Sequence, residues 1–173
     1  MSDIPIIGEG TTRDPNALAL ATKRKNDILH TTRKEQPKVQ LQAGLDLVEK
    51  VHPNLLRRSV TATYNCFGMV FGSRRTWILN GAEVEKILND DGYVPVSRAE
   101  VVVGDIILYR DAGTNEINHV GIVVHRQLSE SGEPDFRILS KWGAHPEYIH
   151  SEKQTMAQFG KKIEFCSERK KDP

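Results

Sequence analysis

The sequence predicts an α+β fold with helices first and an antiparallel meander after them. Three observations carry this. Apolar residues recur at helical spacing up to Gly92, β-branched runs fill the region from Val101 onward, and short polar connections of hairpin length separate those runs. With 173 residues, the chain has room for one domain with a proper core and no need of metal or disulfide staples.

Taken in order, residues 1–13 read as an extended arm. Asp14-Pro15 marks a helix start, an N-cap followed by proline at the first helical position, and Ala17, Leu18, Ala21, Ile28 and Leu29 extend a loose helical pattern to about His30. A polar stretch, Thr31 to Lys38, follows. Leu41, Leu45, Val48 and the neighbouring Val51 then predict a second helix between Pro37 and Pro53. The segment Tyr64 to Gly72 reads as the opening of a buried helix. Asn80 caps another through Glu83, Val84, Ile87 and Leu88, ending at Asp90-Asp91-Gly92. Strands are expected at Val101–Val103, Ile106–Tyr109, Val120–Val124 and Phe136–Trp142, with a closing strand around Ile163–Cys166. Gly113-Thr114-Asn115 and Ser129 to Pro134 are the turns between them. No internal repeat or low-complexity tract is present.

Hydrophobic residues at 38% and charged residues at 27% fit a globular chain rather than a disordered one. The net charge of +1 provides no field for nucleic acid or an anionic membrane. The clusters Lys23-Arg24-Lys25, Arg57-Arg58 and Lys170-Lys171 are short and read as solvated faces. Two cysteines, Cys66 and Cys166, are too few for a disulfide framework, so reduced thiols are expected. The first residues lack a basic n-region and an apolar h-region, and no run approaches the roughly 18 apolar residues that span a bilayer. The expectation is a chain that is cytoplasmic as synthesised; signal-independent export would leave no mark on it.

A thiol attacks only as thiolate, and a free cysteine is mostly protonated at neutral pH. A helix N-terminus and a neighbouring imidazole both lower its pKa. Cys66 stands where the chain enters a helix. His119 opens the strand His119-Val120-Gly121-Ile122-Val123-Val124, a polar residue at the head of an apolar run, with Gly121 leaving room beside it. These two are the candidate nucleophile and base. Cys166 reads as a small core residue, and Asp105 as a turn-fixing one. Zinc sites show close ligand pairs; the only close pair here, His145 with His150, has no second pair beside it. No metal and no cofactor are expected.

Asn65-Cys66-Phe67-Gly68-Met69-Val70 resembles the Asp-Cys-Ser-Gly-hydrophobic-Val box of NlpC/P60 peptidases. Gly104-Asp105-Ile106-Ile107-Leu108-Tyr109 resembles their Gly-Asp-Leu strand, and His119-Val120-Gly121-Ile122 their His-Val-Gly-Ile strand. The three stand in the family's order, with Cys66 placed 53 residues before His119, and the likeness covers roughly residues 60–150. It implies a papain-like core of the NlpC/P60–CHAP superfamily over 56–173, with an N-terminal arm and helices over 1–55 packed on a central antiparallel sheet. It also implies a cysteine–histidine dyad completed by a third polar residue, acting on amide bonds of peptides or peptidoglycan.

Asn65 and Phe67 depart from the box, which usually has aspartate and serine there. The family's third residue falls by position on Ser140. The stretch Ser140-Lys141-Trp142-Gly143, followed by Pro146 to His150, resembles a bacterial branch in which the terminal histidine recurs. His150 is therefore the first choice, with Ser140 and His145 behind it. The Cys66 N–H would be one oxyanion donor and Tyr64 or Asn65 the second; Trp142 or Trp77 walls the cleft or simply fills the core. Three readings follow: an amide-bond thiol hydrolase, an acyltransferase or deamidase on the same fold, and an interaction module that has lost turnover. The expected partner is a peptide or peptidoglycan-like substrate, with neither nucleic acid nor membrane. Any secretion or immunity partner is unnamed by the sequence.

Overall fold

The computed structural model describes residues 18–169; the arm over 1–13, the Asp14-Pro15 helix start and Lys170-Lys171 lie outside the described residues. Helix α1 (Lys38–Val51) fills the interval between Pro37 and Pro53, and buries Leu45 and Val48. Helix α2 (Cys66–Phe71) starts after Asn65, whose side-chain oxygen accepts the Gly68 N–H at 2.9 Å. Helix α3 (Gly81–Asp91) starts after Asn80, which accepts the Glu83 N–H at 3.2 Å, and stops at Gly92 in the left-handed region. Asparagine at the N-cap satisfies an amide that has no intrahelical partner, and glycine at the C-terminus takes a positive φ without strain.

The strands are β1 (His30–Thr31), β2 (Leu56–Arg57), β3 (Trp77–Ile78), β4 (Val94–Val96), β5 (Ile106–Arg110), β6 (Ile117–Leu128), β7 (Pro134–Lys141), β8 (Glu147–Ser151) and β9 (Lys162–Ser167). Seven of them form an antiparallel sheet in the order β2-β8-β7-β6-β5-β9-β4, and β1 pairs with β3 apart from it. The fold class is α+β, with β5 to β8 as the meander. Asp111 shapes the β5–β6 turn by accepting the Gly113 and Thr114 N–H groups, each at 2.8 Å.

Two apolar clusters divide along the sheet. One joins Cys66 and Phe67 of α2, Val84, Ile87 and Leu88 of α3, and Ile106, Leu108, Val120 and Cys166 of the sheet. The other joins Val48 of α1, Phe159, and the sheet residues Ile107, Tyr109, Val123, Ile138 and Tyr148. Neighbours such as Ile106 and Ile107 fall into different clusters because successive strand side chains point to opposite faces. Among the described residues no helix is long and apolar enough to cross a membrane.

Two expectations are corrected. Residues 18–30 are not helical: they form an extended segment with an Ala21–Asp27 bridge, turning at Lys25 with φ of 68°. Here tertiary bonds override a loose periodicity, because Asp90 accepts from Thr22 Oγ1 at 2.7 Å and Asn26 Nδ2 at 2.6 Å. Of the two helices expected before residue 56, the described residues contain only α1. Val101–Val103 is not a strand either. It is a turn held by Asp105, whose carboxylate accepts the Val102 N–H at 2.9 Å.

Helix α2 meets the chain before β3 so closely that a Cβ on Gly68 would lie 1.7 Å from the Thr76 carbonyl oxygen. Backbone must move to admit it, so Gly68→Ala is expected to destabilise the fold by about 3 kcal/mol. Urea unfolding measures this; an unchanged midpoint would show that the Thr76 carbonyl can give way.

Candidate active site

Asn65 ends an extended segment and begins α2, and this sets Cys66 in the first turn with its side chain in the α2–α3 cluster, only 6% exposed. Burial raises the thiol pKa to about 11. The backbone N–H groups of Val120, Phe67 and Cys66 itself pull the other way, as does the Lys141 charge, and desolvation outweighs them. The resting group is therefore a protonated thiol.

His119 precedes Val120 on β6 and is completely buried. Its ring stacks on Phe159 at 3.9 Å between centroids with planes 7° apart, and lies 5.5 Å from the Tyr109 ring. Phe159 and Tyr109 belong to the second cluster, whereas Val120 packs with Cys66 in the first. Among the described residues neither ring nitrogen of His119 has a hydrogen-bond partner, so no hydrogen bond joins it to the Cys66 sulfur. Burial, and then the neighbouring His150, hold its pKa well below the usual imidazole value.

The Ser-Lys-Trp-Gly and terminal-histidine stretch forms a closed polar chain beneath that ring. Trp142 Nε1 donates to Ser140 Oγ at 3.0 Å, and Ser140 Oγ lies 2.7 Å from His150 Nε2. His150 Nδ1 lies 2.7 Å from the Ser151 carbonyl, which can only accept. The proton therefore sits on Nδ1, and Ser140 donates to Nε2. Burial lowers the His150 pKa to about 4, so the ring is neutral. Ser140 and His150 thus hold each other, and no hydrogen bond orients His119 through either. Trp142 is core, packed on His52, Tyr148 and Phe159. His145 lies instead against Gly44 of α1.

The other proposed contributors are also committed. Tyr64 Oη donates to Glu147 Oε1 at 2.6 Å, and Arg74 Nε donates to the same oxygen at 2.7 Å. Asn65 accepts from Gly68 and Ile78 and donates to the Ile78 carbonyl at 2.8 Å. Trp77 Nε1 donates to the Ala62 carbonyl at 3.0 Å. The residue that sequence reasoning passed over is Lys141. It follows Ser140 on β7, faces the opposite side, and brings a fully buried ammonium to the Cys66 side of the sheet. Strand alternation was the one available signal, and it required knowing the register.

A cleft of about 650 Å³ opens between the start of α3 and the β5–β6 hairpin. Phe67 and Asn118, the chain neighbours of Cys66 and His119, both line it, with Asn80, Glu85 and Glu116. Among the described residues no group of three or more histidine, cysteine, aspartate or glutamate side chains could hold a metal ion.

A family model described as a domain of unknown function (DUF7689) matches residues 56–167. The chain belongs to that family. The DUF7689 span starts at β2 and ends with β9, so it holds the whole seven-stranded sheet with α2 and α3 and leaves α1 outside. No curated protein and no solved structure matches the chain.

Neutral burial of His119 and His150 has a consequence for stability. Both imidazoles titrate lower in the folded than in the unfolded chain, where the value is near 6.5. Between that value and about 4 the unfolded chain binds more protons, so stability is complete above pH 6.5 and declines as the pH falls. For His150 alone the decline is on the order of 3 kcal/mol. Urea midpoints should drop steeply between pH 6.5 and 4.5, and less steeply in His119→Phe, which keeps an uncharged ring on Phe159. A flat profile over that interval would contradict neutral burial.

Proposed function

We propose that this chain is a thiol enzyme with a papain-like core of the NlpC/P60–CHAP kind, cleaving amide bonds of a peptide or peptidoglycan-like substrate through Cys66. The observation that carries the reading is the contact between two motifs far apart in sequence. Val120, one residue after His119, packs with Cys66 in one cluster, and the backbone N–H groups of Val120, Phe67 and Cys66 favour its thiolate. Such fixed backbone donors suit an anion, first the thiolate and then the oxygen of a tetrahedral intermediate, and each is worth about 3 kcal/mol in known oxyanion holes.

In the reaction, the Cys66 sulfur bonds to the acyl carbon, and the thiol proton passes through a base to the departing amine as the C–N bond breaks. Water then cleaves the thioester, releasing the acid and restoring the thiol. His119 is the base in this reading. The described conformation is its uncharged resting form, with the ring on the opposite face of β6 from Cys66, so engagement requires the start of β6 itself to turn over and not only the ring to leave Phe159. The cleft beside Phe67 and Asn118 is where the substrate would enter. An amine taking the place of water would make the same site an acyltransferase, and attack on a side-chain amide a deamidase.

A second reading, an interaction module without turnover, is favoured by one arrangement: Cys66 and His119 are both buried, Cys66 in one apolar cluster and His119 stacked on Phe159 of the other, and they share no hydrogen bond. Incubation with purified peptidoglycan and with a peptide library, followed by mass spectrometry, separates the two. The enzyme reading expects new fragments whose release falls by about 10⁴-fold or more in Cys66→Ala. Fragments released equally by Cys66→Ala, or none from the folded parent, would favour the module.

A further inference from the structure

We infer that Lys141 is a positioning residue whose buried ammonium is the counter-charge for the Cys66 thiolate; this rests on the reading of Cys66 as nucleophile. Lys141 ends β7, and its register partner on β8 is Glu147. Ser140, one residue earlier, bonds to Trp142 and His150 on the far side of the sheet, so Lys141 points toward the side of α2. There its Nζ lies 5.2 Å from the centre of the Tyr64 ring, and Tyr64 stands two residues before Cys66.

The bonding of that ammonium is incomplete. Nζ donates to the carbonyls of Gly143, at 2.9 Å, and His145. Its third N–H has no acceptor among the described residues, and none of their carboxylate oxygens lies within 4.0 Å of it. Glu147, the nearest carboxylate by register, engages Tyr64 and Arg74 instead. A buried cation with no carboxylate in direct contact is unfavourable, and a purely structural role would be served as well by an apolar side chain. An anion on Cys66 would complete the arrangement. Among the charges that favour the ammonium Glu147 comes first and the Cys66 thiolate second, and Lys141 in turn favours the thiolate. Burial meanwhile brings the Lys141 pKa down to about 8. The other groups around it are Glu35 before α1, Tyr64 before α2, Arg74 after α2, His145 in the β7–β8 turn and Glu147 on β8.

The test is the pH dependence of alkylation in the full-length chain, using iodoacetamide and mass spectrometry to read Cys66 and Cys166 separately. With thermal melting as a check on folding, Lys141→Met should slow Cys66 alkylation at pH 7.5 roughly tenfold, the effect of one unit in thiol pKa. Lys141→Arg, which keeps the charge, should recover most of the rate, while Cys166 stays unchanged throughout. His119→Gln should reduce turnover without moving the Cys66 profile. If Lys141→Met does not fold, Lys141→Gln, which can still donate to the Gly143 and His145 carbonyls without the charge, should slow Cys66 alkylation in the same way. An unmoved profile in whichever of Lys141→Met and Lys141→Gln folds, or an equal loss in Lys141→Arg, overturns the role of Lys141 and leaves the Cys66 assignment standing. Cys66 reacting no faster than Cys166 in the parent chain overturns the enzyme reading itself.

Discussion

Strand β6 runs through the middle of the sheet, and the two-residue period of its side chains decides what every group around it can touch. Val120 joins Cys66 and Leu108, while His119 stacks on Phe159 beside Tyr109. The same alternation separates Ser140 from Lys141 on β7, and Tyr148 from Glu147 on β8. One side of the sheet thus gathers a thiol, an ammonium and a carboxylate, and the other gathers two imidazoles, a hydroxyl and an indole. The pairings Leu108 with Val120, Ile122 with Leu139 and Lys141 with Glu147 fix this division. A slip of one residue would exchange the two sets.

The two sides accommodate buried polarity differently. On the imidazole side, charge is eliminated: His119 and His150 are neutral, and the chain from Trp142 through Ser140 to His150 and the Ser151 carbonyl gives each of its members a partner. His119 stands outside that chain with neither nitrogen partnered among the described residues, at a cost of about 1–3 kcal/mol for each lost bond. On the thiol side, charge is retained: Arg74 and Tyr64 share Glu147, and Lys141 remains ionisable beneath carbonyl oxygens. Gly121 belongs to the same design, since a Cβ there would come within 2.4 Å of Ile138 Cγ2 and force β7 away from β6.

Asparagine at position 65 and phenylalanine at position 67 have local physical reasons. Asn65 accepts the Gly68 N–H and also donates to the Ile78 carbonyl, tying α2 to β3. An ionised aspartate can only accept, and would leave that buried carbonyl without its donor. Phe67 fills space between α2 and α3 and lines the cleft, where a serine would be too small for the first task.

Local chemistry was legible in the sequence. Asparagine caps start α2 and α3, a glycine ends α3, the heptad-like spacing of Leu41, Leu45 and Val48 marks α1, and β-branched runs become β5, β6 and β7. Each depends on residues within a few positions of one another. The segment 18–30 was misread because its turn is held by Asp90, distant in the chain, rather than by its own periodicity. The site divides in the same way. Cys66 at a helix start and His119 at a strand start were visible, as was the Ser140–His150 association as a motif. Which side of the sheet each occupies, and that Lys141 shares its side with Cys66, follows from cross-strand register and packing. By itself the sequence determined the helix ends, the meander and the presence of a thiol and an imidazole at the heads of two elements. Only the tertiary structure decided which of these groups meet, because strand side chains alternate and the facing element is chosen by distant parts of the chain.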